Sequence, residues 1–415
     1  MNKQINIEYY PKLDVGLIQK AVKRINDLRE NYNMPFFIDT QGYLDFEEIE
    51  RVSKQFMEKS IENLIVLGTG GSIQTLLALK PLSSVKIYPI TSSRAFELAS
   101  CLEQTSPDDS LVIPISRGGE TLDVNSTIGT FMEKRYPFLG LSSQGTMYEL
   151  LIKKNIPILD VPDLSGRFAG SISNVGIVPA YISGIKVREF LNSLDEGYKI
   201  YMNYESNIAL DFAAFLYELY KIGYRVIFSM PYSENLEGSV GLFVQEISES
   251  TGKQGKGLMG AFQEGPLCQH SVLEFLLGGS KGNVVPLIWT IDEEKPDITL
   301  TSNISYVNNQ TAQTIVNYQA DATFQALLEQ RVPSAKISIK TIDEKHLGKL
   351  IAFIQSTVYY LCLLVDVNWA NNPKVVIGKK ICNQALKSNI PATERIKKRE
   401  EIAADKFRDF FKKEI

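Results

Sequence analysis

Histidine is nearly absent from this 415-residue chain; there are two, His270 and His346. So few imidazoles argue against a histidine-based metal centre. The four cysteines, Cys101, Cys268, Cys362 and Cys382, include no C-x-x-C pair and sit in apolar or mixed runs. A disulfide framework and a zinc site are therefore not expected. The N-terminus, Met1-Asn2-Lys3-Gln4-Ile5, has no apolar signal region. The longest apolar stretch, Ser356 to Val367, is too short to cross a bilayer and fits a buried helix. Nor is there an excess of positive charge: the net charge is −4. The basic stretch Arg395 to Arg399 runs at once into Glu400-Glu401 and reads as a solvated helix face. No nucleic-acid or membrane partner is expected. The expected setting is a reducing, cytoplasmic one.

What is present is an alternation of short apolar runs with helix-length segments. Asn63–Leu67, Val85–Ile90, Ser110–Ser116, Pro137–Leu141 and Ile156–Val161 read as strands. Helical patterns lie between them at about 71–80, 94–104, 120–134 and 146–154. A second set begins at Tyr224–Met230 and continues with Asn283–Trp289 and Lys336–Lys340. This is the pattern of an α/β protein with two doubly wound parallel sheets. The chain divides into residues 1–185 (N-terminal segment and first α/β domain), 186–222 (helical connection), 223–345 (second α/β domain) and 346–415 (C-terminal helices). The length accommodates two cores, with neither a low-complexity linker nor a tandem repeat.

Two strand ends carry polar glycine turns. Gly68-Thr69-Gly70-Gly71-Ser72 follows a strand and opens a helix, so backbone N–H groups and the Ser72 hydroxyl can face an anion. It has no lysine of the nucleoside-triphosphate loop and no third glycine at dinucleotide spacing. Ser116-Arg117-Gly118-Gly119-Glu120-Thr121 is a second such turn, on the same edge of a parallel sheet, with Ser116 and Thr121 as hydroxyl donors. A tight βα connection, or Thr121 as a simple helix cap, are the structural alternatives.

Further along are groups suited to moving a proton between carbons. Glu249 ends the helical stretch Gly238–Ser250, and the chain breaks at Gly252. A carboxylate held there can take a proton alpha to a carbonyl. Arg167, on the turn Gly166-Arg167-Phe168, can hold a developing enediolate oxygen or form a structural ion pair. His270, in Gln269-His270-Ser271, can exchange a proton near neutral pH. Lys379 follows Gly378 at the start of a helical segment, where a surface lysine is the ordinary reading. His346, in Asp343-Glu344-Lys345-His346, reads as surface.

Taken in order from about residue 60 to 386, these segments resemble the glucose-6-phosphate isomerase family. The matching segments are Gly68-x-Gly70-Gly71-Ser72, Ser116 to Thr121, Gly166-Arg167-Phe168, Gln245 to Lys253, Gln269-His270-Ser271 and Gly378-Lys379. The resemblance implies two sugar-isomerase-type α/β domains and aldose–ketose isomerisation of a sugar phosphate, glucose 6-phosphate to fructose 6-phosphate, through a cis-enediol. It implies Glu249 as base, Arg167 as oxyanion partner, and His270 and Lys379 in ring opening. Gly71, Ser72, Ser116, Arg117, Gly118, Gly119, Thr121, Gly166 and Gln245 would bind substrate. A homodimer that shares its histidine across subunits is implied, and no metal or organic cofactor.

The second loop departs from the family pattern, with Arg117 for lysine, Gly118 for a hydroxyl residue and Glu120 for Thr or Asn. Losing a charge-assisted hydrogen bond would cost about 1.5–3 kcal/mol unless Arg117 or the Gly118 N–H replaces it. Glu120 is expected to point away from the anion. The alternatives are a related isomerase that also accepts mannose 6-phosphate and a non-catalytic sugar-phosphate-binding regulator. The second has no need of Glu249, Arg167, His270 and Lys379 together.

Overall fold

A computed structural model describes residues 5–59, 61–279 and 282–410. Among these are ten strands: β1 Ile5–Tyr10, β2 Asn63–Leu67, β3 Lys86–Ile90, β4 Ser110–Pro114, β5 Gly140–Leu141, β6 Ile158–Leu159, β7 Val226–Pro231, β8 Met259–Phe262, β9 Val284–Ile291 and β10 Ser334–Ile339. The chain forms two compact units, Met1–Asn371 and Asn372–Ile415.

In the first unit, β2 pairs in parallel with both β3 and β4. Parallel bridges Val112–Phe138 and Ile115–Leu141 carry the order on to β5, which pairs with β6. The order 3-2-4-5-6 reverses between β2 and β4. A crevice therefore opens beyond their carboxyl ends, where the chain leaves in opposite directions. Both strands are buried along their whole length, which is why they read as unbroken apolar runs. Alternate residues serve different faces: Leu64 and Val66 join the large central core, Ile65 and Leu67 a smaller outer one.

The second sheet runs β1-β10-β9-β7-β8. It is parallel except for β1, which pairs antiparallel with β10 from Ile5–Ile339 to Tyr10–Ser334. The N-terminal segment thus belongs to the second sheet, whereas the sequence reading placed it with the first domain. Six residues of mixed burial at the sheet margin, three of them half-buried, carry too weak a pattern to show their partner. β8 is likewise absent from the sequence reading, being short and glycine-containing.

Between the sheets lie the helices Val187–Tyr201 and Ile208–Lys221, packed against the 22-residue helix Glu344–Val365. That helix is long and apolar enough to cross a membrane, but 94% of its apolar window is buried inside the protein. It is the central core helix, apolar all round because it is surrounded all round. It belongs to the first unit, so the compact boundary falls at 371/372 and not at 345/346. Its first turn corrects one expectation. His346 is 8% exposed, and its Nδ1 lies 2.8 Å from Oδ1 of Asp343, the residue that caps the helix. The Asp-Glu-Lys-His run is a helix start packed on Val187–Tyr201, where Ser193 Oγ donates to the Lys345 carbonyl.

The second unit holds the helices Val376–Lys387 and Ala392–Phe407, with no buried residue in either. Ile377, Ile381, Leu386, Ile396, Ile402 and Phe407 are all exposed.

Candidate active site

β2 and β4 end side by side, at Leu67 and Pro114, so the two glycine turns leave one sheet edge as neighbours. In the second turn the hydroxyls of Ser116 and Thr121 are 2.8 Å apart. Thr121 stands at the N-cap of the helix Leu122–Glu133 but makes no side-chain cap bond, so capping is not its role. Gly119 has a left-handed φ of 67°. Arg117 NH1 is 2.5 Å from Asp163 Oδ1, which ties this loop to the segment leading into Gly166. Glu120 accepts from the Thr146 N–H and hydroxyl, at 2.9 and 2.7 Å. Its carboxylate is thereby engaged by a neighbouring loop, as expected of a residue that must not face an anion.

The first turn, Gly70–Ser72, is a short 3-10 segment. A Cβ on Gly71 would lie 2.4 Å from the Arg167 nitrogen and from the Gly166 carbonyl carbon. This position therefore takes glycine because another backbone occupies the space. Gly166, Arg167 and Phe168 form the start of a one-turn helix. Gly70 in turn lies against Gln245, whose Nε2 is 3.4 Å from where its Cβ would be.

Gln245 and Glu249 are one turn apart on the helix Glu234–Thr251. Gln245 Nε2 donates to Glu249 Oε2 at 3.2 Å. Glu249 Oε1 is 3.5 Å from Arg167 NH1. The arginine side chain is 1% exposed and the glutamate 17%, so the carboxylate edge meets solvent with the guanidinium behind it. Arg167 Nε donates to Ser250 Oγ at 2.8 Å, and NH2 donates to the carbonyls of Trp369 and Asn371. Three fixed bonds hold the group and turn NH1 toward Glu249. Burial pushes the Arg167 guanidinium below its ordinary value, opposed by Glu249. Glu249 itself stands near the negative end of its helix dipole, a position unfavourable to an acid unless cations attend it. Arg167 is one. Lys253 is another: its Nζ donates to the Ser250 carbonyl at 2.6 Å and to the Asn368 carbonyl.

These contacts close a ring from Gly71 to Arg167, Glu249, Gln245 and Gly70. Of the residues singled out from sequence, His270 makes none of these contacts, and Lys379 belongs to the second unit. His270 is exposed on the turn between two short helical segments and is not among the partners of Arg167 or Gln245. Lys379 is exposed on a helix of the second unit. Among the described residues no cluster of three or more His, Cys, Asp or Glu side chains is arranged to hold a metal ion. An open cavity of about 820 Å³ is lined by Asp292, Glu293, Glu294 and Asp297 with Lys295, and none of the motif residues lines it.

Known proteins resemble the chain over nearly its whole length. No protein-family model matches the chain. It is 27% identical to the glucose-6-phosphate isomerase of Methanocaldococcus jannaschii over 92% of this chain and 100% of that one. It is 25% identical to that of Campylobacter jejuni over 92% and 99%. The chain is thus a relative of the glucose-6-phosphate isomerases. In fold it matches a glucose-6-phosphate isomerase from Chlamydia trachomatis, with a TM-score of 0.77 and 18% identity over 95% of this chain and 91% of that one. A hypothetical protein from Thermus thermophilus matches at the same TM-score, with 20% identity over 89% and 95%.

The sequence reading gave no role to Glu246, Ser250 or Lys253, which lie within the segment Gln245 to Lys253, and did not single out Gln355. Ser250 and Glu246 share the buried stripe of their helix with Ser239, Phe243 and Ile247. A polar residue recurring on an apolar stripe was the available signal.

Gly71→Ala is expected to destabilise the fold by about 1–3 kcal/mol through backbone overlap and to lower turnover with it. Urea unfolding beside an activity assay checks this, and unchanged stability would contradict the close approach. A second expectation concerns Lys253, whose ammonium burial and Arg167 bring down to about 8 from 10.5. Between those values the unfolded chain holds a proton that the folded chain has lost, so stability rises with pH across that window. Unfolding titrations of the native chain and Lys253→Met should diverge there, to the native chain's gain, and run parallel below it. A constant difference would mean that Lys253 is not desolvated.

Proposed function

We propose that the chain catalyses the aldose–ketose isomerisation of glucose 6-phosphate and fructose 6-phosphate, a step of glycolysis and gluconeogenesis. The observation that carries the proposal is the buried Arg167 guanidinium, fixed on three sides and turned toward Glu249 beside the first glycine loop. The near full-length similarity to named glucose-6-phosphate isomerases supports the same reading.

Glu249, as carboxylate, takes the C2 proton of the open-chain aldose. The electron pair moves toward the carbonyl oxygen and gives a cis-enediolate. Arg167 NH1 holds that developing negative charge in a site from which water is largely excluded. The O2 hydroxyl proton passes to O1, the Glu249 carboxyl returns its proton to C1 and the C2–O2 bond becomes the carbonyl of the ketose, so no net proton or electron is exchanged with solvent. Gln245, bonded to Glu249, keeps the carboxylate in register and contacts the sugar. Ser72, the Ser116–Thr121 hydroxyl pair, Arg117 and the N–H groups of Gly118 and Gly119 take the phosphate, with Gly71 and Gly166 giving it access. The fit is to a monoester because the donors are hydroxyls and backbone amides at one sheet edge.

His270 and Lys379 serve ring opening. The exposure of His270 supports its delivery to a partner's site in a homodimer. The uncovered apolar side chains of the helices Val376–Lys387 and Ala392–Phe407 support a dimer as well. Four unpaired cysteines, Cys101, Cys268 and Cys362 buried and Cys382 exposed, fit a reducing, cytoplasmic setting.

A coupled assay of fructose 6-phosphate conversion, without added metal, is expected to show turnover by the native chain. Glu249→Gln should lower it about 10²–10⁴-fold with sugar-phosphate binding retained. Near-native turnover by that variant would remove Glu249 as the base, and binding without turnover by both chains would favour the regulator. Sedimentation is expected to find a dimer, and a fully active monomer would contradict a shared site.

A further inference from the structure

Three residues before Glu249 on the same helix lies a second carboxylic acid, Glu246, with no exposure to solvent. Its Oε1 accepts one hydrogen bond, 2.8 Å from Gln355 Nε2. Its Oε2 is buried with no partner. The assignment of the Gln355 amide follows from its neighbours. The hydroxyls of Ser171 (3.3 Å) and Tyr198 both donate to Gln355 Oε1, which leaves the NH2 for Glu246. Arg167, the nearby cation, commits its hydrogen bonds to Ser250, Trp369 and Asn371 and its ion pair to Glu249, none of them to Glu246. A buried carboxylate with one neutral donor and no cation paired to it is among the costliest things a protein can bury. As an acid, with the proton on Oε2 and the carbonyl oxygen facing Gln355, the same side chain is tolerable.

The elements joined by this chain of bonds are those that build the catalytic pair. Glu246 shares its helix with Glu249 and Ser250. Ser171 closely follows the Arg167 turn. Gln355 belongs to the core helix that leads into the Trp369 and Asn371 carbonyls. The Glu246–Gln355–Ser171 tie therefore runs parallel to the Ser250–Arg167–Trp369 tie. Both fix the arginine turn against the base helix.

We propose that Glu246 is a positioning residue for the Arg167–Glu249 pair and that it works as an uncharged acid. Ionised, it would set two carboxylates against one guanidinium and draw off charge that Arg167 must present to the enediolate. Neutral, it orients Gln355 and leaves that charge to Glu249 and the substrate. The charged and titratable groups around it act in the same sense. Burial raises its carboxyl well above the ordinary glutamate range, with Glu249 adding to this and Gln355 and Arg167 opposing. Tyr198 and Cys362, which also feel its charge, are themselves pushed up by burial, so neither is a negative neighbour at neutral pH.

The inference rests on the isomerase reading of Arg167 and Glu249, and its test separates the two. In the purified chain at neutral pH, difference infrared spectroscopy against Glu246→Gln should reveal a protonated carboxyl C=O band belonging to Glu246. A carboxylate band in its place overturns the proposal whatever the activity. In the fructose 6-phosphate assay, Glu246→Leu should lower kcat about 10–100-fold with KM little changed, as expected when reacting groups are misplaced without loss of binding contacts. Glu246→Gln, polar at both atoms and unable to ionise, should restore most of that loss and leave the acid limb of the pH–rate profile in place. Native turnover by a folded Glu246→Leu, or failure of Glu246→Gln to restore it, overturns the positioning role. Should Glu246→Leu not fold, the glutamine variant alone decides: its kcat must stay well above that of Glu249→Gln. Should the native chain show no isomerase turnover, the functional reading fails, and the infrared band still decides the state of Glu246.

Discussion

A buried guanidinium organises this molecule. Arg167 cannot lose its charge, and water does not reach it, so its five donors must be met by the protein. Ser250, Trp369 and Asn371 take three of the hydrogen bonds and Glu249 pairs with NH1, from the helix Glu234–Thr251 and the segment after the core helix. Each partner that satisfies the arginine also fixes one element of the site. Desolvation makes the group costly, and the same desolvation makes its one outward nitrogen effective against a developing oxyanion.

The arginine can be placed there because the backbone beside it is stripped of side chains. Gly71 lets two loops from different elements pass at a distance that its own Cβ would not permit. The first glycine loop is thus the floor on which the arginine turn lies, and in the proposed function it also cradles the phosphate at the β2 edge. The Ser116 turn, leaving β4 beside it, adds a paired set of hydroxyls. Arg117, which departs from the family pattern, is drawn to Asp163 and ties the second loop to the arginine turn as well.

Much of this was legible before any coordinate was seen. The buried strands β2, β4, β7 and β9 announce themselves because a strand covered on both faces must be apolar throughout. The glycine loops are legible because close approach leaves the chemist one residue to choose. His346 went astray because a charged turn and a helix start share one composition. β1 was missed because a six-residue margin strand carries too little pattern. Glu246 and Ser250 escaped because a glutamate near the end of an amphipathic helix looks the same from sequence whether it faces water or the core. Which face is buried depends on Gln355, more than a hundred residues away.

Local chemistry, then, is what the sequence determined by itself: the alternation of strand and helix, the two loops built for an anion, and a carboxylate, an arginine and a histidine of the right kinds in the right order. These follow from propensity, periodicity and the special freedom of glycine, all of which act within a few residues. The tertiary structure alone decided which of those groups meet. It joined Arg167 to Glu249 and Gln245 to Gly70, and it left His270 exposed. It also gave Glu246 a neighbourhood in which a carboxyl keeps its proton. Such outcomes depend on burial and on partners distant in the chain, and the cost of an unpaired charge is set only once the surrounding water has been removed.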